Sequence, residues 1–138
     1  MPNSLQTKNT LRVIFDYSAT DAYGVANSAI GTHGTGIFVP ANSIITNTAY
    51  DVITTFTSAT DAATIAVQVE AANDIVSATA ISTGTTWDNV TNMVAGTPVS
   101  AATAVKTTVD REIKFVTAVE VLTAGKLAFF IDYVTNVG

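Results

Sequence analysis

Few side chains in this sequence belong to types that do chemistry, and their spacing limits what they could do. His33 is the only histidine, and cysteine is absent. A nucleophile–base pair would have to be built on His33, with Ser28, Ser43 or another hydroxyl as nucleophile. His33 lies in Gly31-Thr32-His33-Gly34-Thr35-Gly36, whose glycines give a catalytic base no rigid support. The same segment is not a phosphate loop, because no Lys follows and Ile37-Phe38-Val39 opens a strand rather than a helix. It reads as a strand entry or bulge. A zinc site of His and Cys lacks ligands, and thiolate or disulfide chemistry is excluded.

The carboxylates Asp51, Asp61, Asp74, Asp88 and Asp110 could pair for glycoside hydrolysis. That reaction needs two carboxyls about 5 to 10 Å apart in a cleft. Most of these acids stand in turn-like segments, where Asp bonds its own backbone. The calcium-loop pattern D-x-[DN]-x-[DN]-G is absent, so calcium would need acids converging from separate loops. Trp87, the only tryptophan, stands beside Asp88 and Asn89. It is either an exposed anchor for a partner or a plug at the end of the fold. The sequence points to no enzyme and implies no cofactor.

Strands must position these residues. From Arg111 to Val134 two alternating runs face each other across Leu122-Thr123-Ala124-Gly125. Ile113, Phe115, Thr117, Val119 and Val121 share one face of the first. Leu127, Phe129, Ile131 and Tyr133 share one face of the second. The pattern predicts a β-hairpin with Gly125 in its turn. Leu11 to Tyr17 alternates as a first strand, followed by a loop to Ala29. Ile44 to Ser58 predicts a long strand with Tyr50, Val52, Thr54 and Phe56 on one face, and a turn at Ser58-Ala59-Thr60-Asp61 leads into Ala63 to Val69. Ile75 to Ile81 predicts a short strand, and Ser82 to Thr108 a long surface excursion. Met1 to Thr10 is polar around a lone Leu5 and reads as an arm.

No amphipathic helix of ten or more residues stands out. Short strands with turn signals every 8 to 15 residues therefore predict an all-β, antiparallel sandwich, jelly-roll-like, of about eight strands. The expected division is an arm, 1–10, and one sandwich domain, 11–138. At 138 residues the chain is long enough for a single core.

Charged residues make up only 12% of the chain, about half the usual share. A surface filled with Thr and Ala suits a chain that packs against copies or partners. Six Lys and Arg stand against eleven Asp and Glu, a net charge of −5, and the cations are scattered. Phosphate recognition needs clustered cations, so neither nucleic acid nor an anionic membrane is an expected partner. No run approaches the roughly 18 apolar residues of a membrane span, and Met1 to Thr10 has no signal-peptide core. Synthesis in a cytoplasm is expected.

Several stretches carry a family likeness. Val39-Pro40-Ala41-Asn42-Ser43-Ile44-Ile45-Thr46, Tyr50-Asp51-Val52 to Phe56-Thr57-Ser58, and Asp61-Ala62-Ala63-Thr64-Ile65-Ala66 resemble small structural proteins of tailed bacteriophages. Ile75 to Ile81 with Trp87-Asp88, and Leu122 to Leu127 through Tyr133-Val134, continue the likeness over Ile37 to Val134. It rests on packing and turn patterns. Such proteins often show Pro-Ala-Gly where this chain has Pro40-Ala41-Asn42. The resemblance implies a jelly-roll virion protein that cements or decorates a capsid by bridging major capsid protein subunits, as a homotrimer on the capsid surface. The expected contact residues are Asn3, Leu5, Lys8, Trp87 and Asn89. The alternative is a host-recognition module of a head or tail fibre that binds a glycan through its loops. A glycosidase resting on the carboxylates is a third reading.

Overall fold

The computed structural model describes residues 8–90 and 104–135. These contain seven strands and no helix: β1 (Asn9–Asp16), β2 (Gly31–Val39), β3 (Ser43–Ser58), β4 (Thr64–Gln68), β5 (Val76–Ala80), β6 (Arg111–Ala118) and β7 (Leu122–Thr135). They form two antiparallel sheets, in the orders β1-β7-β3 and β2-β6-β4-β5. An eighth element is reduced to a bridge. Val105 to Thr107 runs beside β3, where the Ile45 amide donates to the Val105 carbonyl (2.8 Å) and the Thr107 amide to the Ser43 carbonyl (2.9 Å). Counted in chain order, that segment is sixth of eight, and the sheets read 1-8-3-6 and 2-7-4-5. This is the double Greek key of a jelly roll.

The alternation expected over Arg111 to Val134 is present, but the hairpin is not. β6 lies in one sheet and β7 in the other, so the chain turns a corner between layers. The physical reason is burial. Paired as neighbours, β6 and β7 would place Phe115 and Phe129 side by side on one surface needing a further cover. In opposite sheets the two rings meet edge-on, centroids 6.0 Å apart. Val119 and Val121, expected on the buried face, fall in that corner and are exposed. Leu122, expected in the turn, begins β7.

The first strand starts at Asn9, two residues inside the expected arm, because Asn9 and Thr10 pair with Tyr133 and Asp132 of β7. The long third strand is present. Register shifts along it rotate Thr54 out of the buried set that Tyr50, Val52 and Phe56 keep. The glycine-rich segment is a strand with a shift between Gly34 and Phe38, as its composition predicts.

The core is aromatic and spans both layers. Phe15 stacks on Phe115 (4.6 Å) and Phe56 (6.0 Å), Tyr50 stacks on Phe129 (5.5 Å), and Trp87 tilts onto Tyr50 (5.1 Å) with its edge toward Phe56 (6.3 Å). Gly125 makes room for this cluster. It lies within β7 rather than in a turn, at φ 136°, and a Cβ there would run into the Phe56 ring. Gly125→Ala is expected to cost about 2–4 kcal/mol, since both backbone and packing must give. Urea denaturation measures it, and adding Phe56→Leu should return part of the loss. A midpoint unchanged in Gly125→Ala would show that β7 yields at no cost.

Candidate functional site

His33 is 1% exposed and is part of the structure's frame. Its Nε2 donates to the Ala29 carbonyl (2.7 Å), and its Nδ1 meets Asp21 Oδ2 (2.9 Å). The other oxygen of Asp21 accepts the amides of Tyr23 (2.8 Å) and Val25 (3.0 Å). Burial pushes the Asp21 carboxyl up, but the hydrogen bonds from His33 and these amides outweigh it and hold the group below its ordinary range. The pair ties the β1–β2 loop to β2. With both ring nitrogens engaged, His33 has none left to take a proton from a hydroxyl. Ser43, a candidate nucleophile, is buried with its hydroxyl 3.1 Å from that of Thr135. The cleft of about 140 Å³ between β1 and β2, lined by Arg12, Ile14, Asp21 and His33, therefore holds no nucleophile–base pair.

Three of the candidate carboxylates are likewise engaged by backbone amides. Asp74 accepts the amides of Val69, Glu70 and Ala71 (2.8–2.9 Å), Asp61 accepts that of Ser58, and Asp110 that of Ala41. Asp51 is exposed on β3. Among the described residues no group of three or more His, Asp or Glu side chains gathers as a cation site.

Of the expected contact residues, Asn3 and Leu5 lie outside the described residues. Lys8 is exposed beside Asp132 (3.5 Å) at the start of β1. Asn89 is exposed but tied to β3, its amide donating to Thr55 Oγ1 (2.8 Å) and its side chain to the Ile53 carbonyl (3.0 Å). Trp87 is corrected. It is 0% exposed, and its Nε1 donates to the Thr79 carbonyl (3.0 Å). The indole plugs the sandwich against Tyr50 and Phe56, because its large apolar area is worth more inside once Nε1 has a partner.

Sequence reasoning did not single out the residues that organise the surface. Glu112, on the outer face of β6, accepts Tyr23 Oη (2.9 Å) and the Gly36 amide (2.8 Å). Gly34 leaves the space that Tyr23 and Glu112 fill. Beyond Tyr23 a groove of about 340 Å³ runs past Phe38, Gln68, Arg111 and Lys114. Its far wall is the Glu70–Arg111 pair (2.9 and 3.0 Å). At the opposite end of β6, Glu120 accepts Ser58 Oγ (2.6 Å), Thr60 Oγ1 (2.7 Å) and the amides of Thr60 and Ala62 (3.2 and 3.0 Å). Each of these contacts joins residues far apart in the chain, so no local spacing announces them.

No family model and no curated protein sequence matches the chain. Its fold is shared with chains of solved phage capsids. A chain of the acid-stable capsid of Helicobacter pylori bacteriophage KHP30 is 9% identical, with 94% of this chain and 90% of that one covered. A chain of the cyanophage Pam1 capsid is 14% identical (99% and 91% covered), and one of the Ralstonia phage GP4 capsid 16% (100% and 90%). All three superpose with a TM-score of 0.63.

Of the carboxyls held below their ordinary range, Glu120 and Glu70 are shifted furthest. Hydrogen bonds from Ser58 and Thr60 hold Glu120 down at about 2, and the Arg111 guanidinium with Thr108 does the same for Glu70. Unfolded, each returns toward the ordinary 4.5. The unfolded chain therefore takes up protons first as pH falls, and stability drops. The contribution is complete above about pH 4.5 and is lost between about pH 4.5 and 2. Urea midpoints followed across that window should fall, and Glu120→Gln should flatten part of the slope. A slope equal to that of the parent chain would remove Glu120 from the account.

Proposed function

We propose that this chain is a virion structural protein of a bacteriophage, which cements or decorates the capsid surface by bridging neighbouring major capsid protein subunits and catalyses nothing. The observation that carries the reading is the fold likeness to chains of phage capsids, which extends over nearly the whole of this chain and of each of those chains. At these identities it is a likeness of fold. The sequence resemblance and the sparse charge, 12% of residues, support the same reading, since a surface poor in charge suits protein contact over solvation.

The mechanism is mechanical. A rigid sandwich presents its loops and arm to a shell of repeated subunits, and each contact is modest. Repetition over symmetric copies makes the second and later contacts intramolecular, which raises overall attachment far beyond one contact. A homotrimer would match a three-fold position on such a shell. The glycan-binding alternative loses support with Trp87 inside the core.

Two measurements test this. Shells of the cognate phage's major capsid protein, assembled without this protein and then mixed with it, should carry it through sedimentation. Light scattering coupled to size exclusion should give three times the 14.3 kDa of one chain. Deleting residues 2–7, which leaves β1 intact from Asn9, should lower shell attachment about tenfold with the melting temperature unchanged. Failure of the full chain to sediment with shells overturns the reading, and undiminished attachment of the deletion removes the arm from it.

A further inference from the structure

The corner between β6 and β7 carries a side chain that the isolated fold does not need. Val119 has φ 74°, and the Glu120 amide donates to the Ala118 carbonyl at 2.9 Å. This is a γ-turn in its rare, positive-φ form, and a β-branched residue is the least suited to it. At the other non-glycine positions with positive φ among the described residues, the chain has Asn42, Asp61 and Asn73, types that tolerate that region. Only the corner uses valine. Packing is not the reason, because Val119 is 63% exposed.

The corner is also braced by hydrogen bonds. Glu120, the one charged residue from Ala118 to Leu122, is turned back onto Ser58, Thr60 and Ala62 by the four hydrogen bonds described above. Val121 is 54% exposed. The β2–β6 register pairs Gly31 with Thr117, and the Leu122 amide donates to the Ser28 carbonyl (3.0 Å). Ile30, 56% exposed, thus stands at the same end of the sandwich. Three branched aliphatic side chains are held out from a fixed backbone.

We infer that Ile30, Val119 and Val121 form a preorganised apolar contact that docks into a hollow of the major capsid protein. The strain at Val119 is retained because the shell, and not the fold, uses the side chain. Strained residues persist where their surroundings over-determine them, and they gather at functional sites. The size of the patch selects the occupant. Three such side chains expose on the order of a few hundred Å², below the about 800 Å² per partner of a stable two-body interface. The patch is too small to hold a second copy of this chain alone. It is sufficient as one anchor among many on a shell, where attachment is shared among contacts. The inference rests on the capsid reading above.

The test compares the full chain with Val119→Asn and Val121→Ser. Asn accepts the positive φ, so Val119→Asn should melt at the parent temperature or a few degrees above it, while its attachment to major-capsid-protein shells falls about tenfold or more. Val121→Ser, at a position free of positive φ, should lower attachment with melting unchanged. Full attachment of both variants overturns the inference while leaving the capsid reading in place. A Val119→Asn chain that melts well below the parent also overturns it, since the valine would then serve the fold. Loss of the trimer mass in Val119→Asn would make a second copy the occupant and overturn the assignment to the shell. Absence of attachment by the parent chain is the distinct result that defeats the capsid reading, and the inference with it.

Discussion

The contact on which the rest of the structure depends is the meeting of Phe115 and Phe15 across the interior, ring centroids 4.6 Å apart and nearly parallel. Phe115 comes from β6 and Phe15 from β1, so this stack joins the two sheets. Phe129 adds an edge-on contact from β7, and Phe56 extends the stack from β3. Aromatic rings bury large areas and resist sliding because their preferred geometries are directional. Once these rings must share one interior, consecutive strands cannot all pair with each other. The connections from β3 to β4 and from β6 to β7 must pass between layers, and the jelly-roll order follows from that crossing.

Crossing between layers creates corners, and corners expose backbone groups that the ladders cannot satisfy. The chain answers with carboxylates. Glu120 ties the β6–β7 corner to the β3–β4 turn and Asp21 fixes the β1–β2 loop through His33, while within one sheet Asp74 closes the β4–β5 turn on three amides. Glu112 does the same on an outer face for Gly36 and Tyr23. Acids in such positions accept from several donors at once and act as struts, and for Glu120 and Asp21 the same bonds hold the carboxyl below its ordinary range. That no reactive constellation forms among the described residues then has a cause. Many of the few acids are committed to closing loops.

Strand positions were legible in the sequence because alternation with period two follows directly from which face is buried. β1, β3, β4 and β5 stand close to where the pattern puts them, and the bulge of β2 was foreshadowed by its glycines. Partners were not legible. The residues of β6 and β7 announce two half-buried strands, but whether they share a sheet depends on which other strands cover their apolar faces, and alternation within the two runs does not carry that. The candidate site was less visible still. His33 on β2 and Asp21 on the preceding loop are twelve residues apart with no period between them. Tyr23 and Glu112 are 89 apart. Trp87 offered both a plug and an anchor, and only the nearness of Tyr50 and Phe56 decides it. Val119 read as a buried member of an alternating run, and its φ is a property of the corner rather than of the residue.

These two lessons bear on the capsid role proposed above. Function carried by a reacting group leaves a local trace, because the chemistry demands particular residue types. Function carried by shape does not, because almost any apolar side chain can fill a hollow if the backbone presents it correctly. What shape demands is a backbone that does not give, since a surface that flexes when free must be ordered when the partner binds, and that ordering weakens attachment. An interlocked aromatic interior with carboxylate struts at its corners supplies that stiffness. A strained residue held at a corner marks where stiffness has been maintained beyond what the fold itself requires. In a molecule of this kind, departures from local ease are therefore a better guide to the working surface than any cluster of polar residues.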